Sequence, residues 1–155
     1  MLRKPTWSKP RLAVPAAPER PPPRRTFGTN EHMVNTPRKL LFLQLLILVP
    51  LAVAHFTGLA LYLYWYFPWF DLLTHAMGGM WAGAFCLWLR AQAGYAPHLL
   101  FVVGGVLLIG VAWEVFEVAA GLPREANYVF DTSLDLLIDV LGSLFVFGMV
   151  RSFMR

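Results

Sequence analysis

Four apolar runs, Leu40 to Phe67, Asp71 to Arg90, Leu99 to Ala120 and Asp131 to Val150, each reach the roughly 20 residues that a membrane-spanning helix needs. In hydrocarbon every backbone N–H and C=O must be satisfied inside the segment, so continuous apolar runs of this length are predicted to be helices. The connections are short: Pro68-Trp69-Phe70, then Gln92 to His98 with Gly94 and Pro97, then Gly121 to Phe130, which opens on the helix stop Gly121-Leu122-Pro123. Short connections make sequential neighbours antiparallel. The expectation is an all-α, polytopic membrane protein, an antiparallel four-transmembrane-helix bundle over residues 39–155, with helices at about 40–67, 71–90, 99–120 and 131–150. Pro50 falls inside the first run and is expected to kink it, which neighbouring helices accommodate in a membrane.

Composition agrees with this class. Of 155 residues, 57% are hydrophobic and 14% charged, too apolar a balance for a soluble core. The net charge of +4 raises the question of nucleic acid, but nine of the thirteen Lys and Arg residues precede residue 40. The basicity therefore belongs to an arm, and no nucleic-acid partner is expected. That arm, residues 1–38, holds eight of the twelve prolines, with Pro21-Pro22-Pro23-Arg24-Arg25 at its centre. It reads as a disordered or polyproline-like segment that sets topology and rests on anionic lipid. Counting Lys and Arg near helix ends puts twelve on one side of the membrane and only Arg124 on the other, so both termini are expected to be cytoplasmic. Tyr62, Tyr64, Trp65, Tyr66 and Trp69 then mark the outer interface. Cys86 is the single cysteine, so no intrachain disulfide can form.

Against this background the ionisable residues inside the apolar runs stand out. Asp71 and His75 open the second run, Glu114 and Glu117 lie late in the third, and Asp131, Asp135 and Asp139 occupy the fourth. Intramembrane ionisable groups face a bundle interior or a wet cavity and mark function. At a rise of about 1.5 Å per residue in alternating directions, all seven fall in the outer third of the membrane. The spacings i,i+4 (71, 75), i,i+3 (114, 117) and i,i+4,i+8 (131, 135, 139) put each set on one helix face. Gly78, Gly79, Ala82, Gly110, Gly121 and Gly142 extend those faces with small residues that permit close helix approach.

Such a cluster needs compensation. An acid near mid-helix costs about 2.5–3.5 kcal/mol on insertion scales. Two carboxylates about 6 Å apart repel by roughly 3 kcal/mol at an effective dielectric of 20. Protonation, a bound cation, pairing with His75 or Arg124, or an aqueous pocket would each answer this. Asp131 alone could be a helix cap, shared with Thr132 and Ser133, and Asp71 has the same reading; Asp135 and Asp139 lie past the first turn, where capping does not apply. Imidazole with carboxylates is the donor set of a divalent metal, and His75, Glu114, Asp135 and Asp139 are the expected ligands. The Glu-x-x-His pairs of bundle di-metal sites are absent. His55, with no acid at helical spacing, and His98, in a connection, read as structural.

The elements Asp71-x-x-x-His75, Glu114-x-x-Glu117 and Asp131-Thr132-x-x-Asp135-x-x-x-Asp139-x-x-Gly142 resemble the YjdF-like family of small bacterial inner-membrane proteins, and more distantly the VanZ-like family. The resemblance covers residues 71 to 148 and implies a multi-spanning protein of the bacterial inner membrane; it implies no particular reaction. The expected function is an outward-facing acidic and histidine pocket, Asp71, His75, Glu114, Glu117, Asp131, Asp135 and Asp139, that binds a cation or a polar envelope substrate, with metal-assisted chemistry as one form of it. The alternative is a small accessory or scaffold subunit of a larger membrane complex, in which the acids form a structural network. Four helices are few for a transporter acting alone, so transport would require a homo-oligomer.

Overall fold

The computed structural model describes residues 31–121 and 127–153, with side chains from residue 36 onward. Five helices follow in order: α1 (Glu31–Ala60), α2 (Leu63–Tyr66), α3 (Trp69–Gln92), α4 (Leu99–Ala120) and α5 (Tyr128–Phe153). No strand occurs among the described residues. Four of the helices are long and apolar enough to cross a membrane, and they form the expected four-span all-α fold. The proposed arm falls outside the described residues up to residue 30, as does Arg124; residues 31–38, read as arm, belong to α1.

The boundaries differ from expectation most at the two ends of α1, which starts at Glu31 and not near residue 40. The first helix does not run to residue 67: it ends at Ala60, and Tyr62 adopts a left-handed backbone (φ 57, ψ 32) before the single-turn α2. A left-handed residue cannot continue a right-handed helix, so the chain folds back on itself there. Pro50 lies inside α1, which remains helical past it. The helices α3 and α5 each start and end two to three residues outside their expected limits, while α4 matches at both ends. Its ends carry local signals: the His98 side chain accepts a hydrogen bond from the Phe101 N–H at 3.3 Å, and Gly121 closes the helix in a left-handed conformation (φ 68). Gly121 is therefore a helix stop and not a packing residue, since nothing approaches the side chain it lacks.

The helix α3 is the hub of the bundle. It packs against α1, α4 and α5, whereas α1 makes no close backbone approach to α4 or α5 among the described residues. The tightest interface is α3 against α5. A Cβ on Gly79 would overlap the backbone of Asp139, and one on Gly83 would sit 2.9 Å from the Cα of Ser143. The two contacts step along both helices together, so α3 and α5 run parallel. From the other side, a Cβ on Gly142 would overlap the Ala76 carbonyl. Small residues are what let backbones meet this closely where lipid competes for apolar side chains.

The two halves of the bundle differ in chemistry. Leu40 and Ile47 of α1, Ala82 to Leu87 of α3, Val102 and Val106 of α4, and Val146 to Val150 of α5 make a buried apolar core in one half. The other half, beside α2 and the start of α3, buries His75, Glu114, Asp135 and Asp139.

Candidate functional site

The acid-bearing turns converge on His75. Asp71 stands in the first turn of α3, one turn before the imidazole, and its carboxylate oxygen Oδ1 lies 3.9 Å from His75 Nε2. The other ring nitrogen, Nδ1, is 3.4 Å from Asp139 Oδ1 of α5. This contact is possible because Gly79 brings the α5 backbone against α3 and because Gly110 of α4 leaves room for the carboxylate: a Cβ there would lie 2.7 Å from Asp139 Oδ2. Glycine at 110 thus decides where the Asp139 side chain can stand.

The remaining acids surround the same ring. Ligand atoms of Asp71, His75 and Asp135 all lie within 4.8 Å of one another, and so do those of His75, Glu114 and Glu117. The two sets share the imidazole and draw on α3, α4 and α5. Asp139 belongs to neither set and instead faces Nδ1, so the four expected ligands His75, Glu114, Asp135 and Asp139 do not form one convergent set among the described residues. Asp131 is in the first turn of α5. Because the helix begins three residues before it, Asp131 does not cap the helix; as an acid in the first turn it complements the helix dipole.

Polar partners are unevenly distributed among the carboxylates. Glu117 Oε1 accepts a hydrogen bond from Trp113 Nε1 at 2.9 Å. Glu114 Oε2 accepts one from the Thr132 hydroxyl at 2.7 Å. Thr132 thus serves Glu114 and does not cap α5, and the Ser133 hydroxyl likewise donates to the Val129 carbonyl within its own helix. Two oxygens, Glu114 Oε1 and Asp135 Oδ1, are buried without any hydrogen bond among the described residues, on side chains only 5% and 2% exposed. Leaving a buried acceptor unsatisfied costs about 1–3 kcal/mol, more if charged. Thr132→Val should therefore lower stability by about 1–3 kcal/mol, because it strips Glu114 of its remaining donor. Thr132→Ser should retain most of that stability, and thermal unfolding in detergent separates the two.

A second polar chain escaped sequence reasoning. His55 Nδ1 lies 2.8 Å from the Tyr64 hydroxyl, which donates to Thr74 Oγ1 at 3.4 Å, and Thr74 donates to the Asp71 carbonyl at 2.8 Å. Burial pushes the Tyr64 phenol above its usual range, so it stays protonated as a donor. The His55 ring also meets Trp113 edge-on, with centroids 5.6 Å apart, and this contact bridges α1 and α4. On one continuous helix, residues 55 and 64 would stand about 13.5 Å apart on opposite faces. Only the left-handed turn at Tyr62 brings them together.

Beside the cluster lies a cavity of about 260 Å³, walled mainly by α1, α3 and α4, with Tyr64 of α2 and Asp139 of α5 completing it. Asp71, His75, Glu117 and Asp139 line it, whereas Glu114 and Asp135 are not among its lining residues. No curated protein and no solved structure matches the chain. The four spanning helices and the acid-bearing turns do fall within one family: residues 35–155 match the family described as "Predicted membrane protein (DUF2238)", and the chain belongs to it.

Proposed function

We propose that the cluster around His75 binds a divalent transition-metal cation, with the imidazole as the ligand common to carboxylates from three helices. The observation that carries this reading is the pair of buried, unsatisfied oxygens, Glu114 Oε1 and Asp135 Oδ1, each within one of the two sets that meet at His75. A cation held by either set would supply a partner that no protein donor provides. One nitrogen with several carboxylate oxygens suits zinc, manganese or iron. Metal–ligand bonds of about 2.1 Å bring the ligand atoms within about 4.2 Å of one another, so the side chains need to draw in only slightly. Asp139, on the Nδ1 side, takes the part of an orienting carboxylate that fixes the imidazole tautomer and leaves Nε2 for the metal.

On this reading the basic stretch before residue 40 lies on the cytoplasmic side against anionic lipid, the membrane domain begins within α1, and both termini are cytoplasmic, as the distribution of Lys and Arg supports. The cluster then faces the extracytoplasmic side, where a polar envelope substrate would meet it. The likeness to YjdF-like and VanZ-like proteins supports a bacterial inner-membrane setting.

Metal analysis of protein purified from zinc- and manganese-supplemented cells tests the reading. The parent should retain stoichiometric metal, and His75→Ala and Asp135→Ala should lose it. A parent protein without stoichiometric metal, which also fails to bind zinc or manganese saturably on titration, would sink the proposal.

A further inference from the structure

The cavity is two-ended, and its ends differ in chemistry. Leu48, Leu51, Ala52, Val106 and Ile109 line it toward the apolar core, while Asp71, Glu117 and Asp139 line it at the cluster. From Glu117 to Val106 along α4 the lining extends about 16 Å at helical rise, an elongated shape parallel to the bundle axis. Because α1 and α4 make no close backbone approach, its side is framed by two helices that stand apart on the face of α3. Nearer the cluster, the His55–Trp113 ring pair spans that gap. An apolar slot parallel to lipid chains, ending in charged groups at one end, is the shape of an amphiphile site.

Charge decides which amphiphile. Among the described residues no Lys or Arg lines the cavity. Asp71, Glu117 and Asp139 line it, and Glu114 and Asp135 share ligand sets with the lining residues. One divalent cation in the cluster balances two of these five carboxylates, which leaves an excess of negative potential at the cavity's polar end. An anionic headgroup would meet repulsion there without a compensating donor, whereas a positive one is attracted. Trp113 and Tyr64 add aromatic rings at the same end, which suit an ammonium group.

We infer that the slot between α1 and α4 takes a single alkyl chain bearing an ammonium headgroup, with the chain along Leu48, Leu51 and Ile109 and the ammonium beside Asp71 and Glu117. This rests on the proposed function for the location of the site and the charge of the cluster, but its test does not depend on the metal.

Native mass spectrometry of the full chain in non-ionic detergent reads the binding directly. The probes are lysophosphatidylethanolamine, lysophosphatidylglycerol of the same acyl chain, and dodecylamine. The expected result is one saturable lysophosphatidylethanolamine adduct, about tenfold favoured over the glycerol lipid. Ile109→Trp, which fills the apolar half, should abolish the adduct while metal content stays at the parent level. Glu117→Gln should weaken it by about ten- to hundredfold. Binding of dodecylamine alone supports the ammonium amphiphile and removes the aminophospholipid as its source. Equal binding of the two lysolipids, or an adduct that survives Ile109→Trp, overturns the inference. A selective adduct on metal-free parent protein upholds the inference and sinks the metal reading; stoichiometric metal without selectivity does the reverse.

Discussion

Gly142→Leu is expected to prevent the membrane domain from being recovered as a folded, monodisperse species, and Gly79→Val should do the same. A Cβ at 142 would overlap the Ala76 carbonyl and lie 3.0 Å from the Met80 amide nitrogen; one at 79 would overlap the backbone of Asp139. Overpacking a core costs about 1–3 kcal/mol when neighbouring side chains can rotate away. Here the neighbours are backbone atoms of a helix, which cannot rotate away, so α3 and α5 must separate. Separation removes the largest interface in the bundle and carries Asp135 and Asp139 away from His75. Gly148→Leu is the control, because nothing lies within 4 Å of a Cβ at that position. Size-exclusion profiles and thermal unfolding in detergent should show loss at 142 and 79 and parent-like behaviour at 148.

The second large effect is a graded loss of metal along the ligand path. His75→Ala should abolish saturable binding, because the imidazole is common to both convergent sets. Asp139→Asn should keep the fold and weaken affinity by about 10–100-fold, the usual cost of losing an orienting carboxylate behind a metal-bound histidine. Asp139→Leu should lose binding more fully yet still insert, since it removes a charge that costs about 2.5–3.5 kcal/mol near a helix centre. Titration of apo protein with zinc or manganese measures all three. Equal affinity in Asp139→Asn and the parent would remove Asp139 from the site.

Much of this was legible in the residues because length and spacing are local properties. Twenty apolar residues make a span whatever surrounds them, and the i,i+4 repeats of Asp71 with His75 and of Asp135 with Asp139 fix which residues share a face. The ends of α4 were legible because His98 and Gly121 are themselves the signals. The break after Ala60 was not, since the left-handed residue is Tyr62 and no glycine announces it. A first helix continuing to residue 67 would put His55 and Tyr64 on opposite faces and break the polar chain from His55 to Asp71. The division of labour around His75 was also hidden. Whether Asp139 joins the carboxylate sets or faces Nδ1 depends on how closely Gly79 and Gly110 let α5 approach, which helical spacing does not encode. The cavity depends on something still less local, the separation of α1 from α4 across the face of α3.

X-ray absorption of the cobalt-loaded protein reads the centre of this account most directly. One imidazole nitrogen among carboxylate oxygens is the predicted coordination, and the outer-shell scattering of the imidazole ring should vanish in His75→Ala protein that still folds. A parent spectrum without imidazole scattering, or one unchanged by His75→Ala, would contradict it.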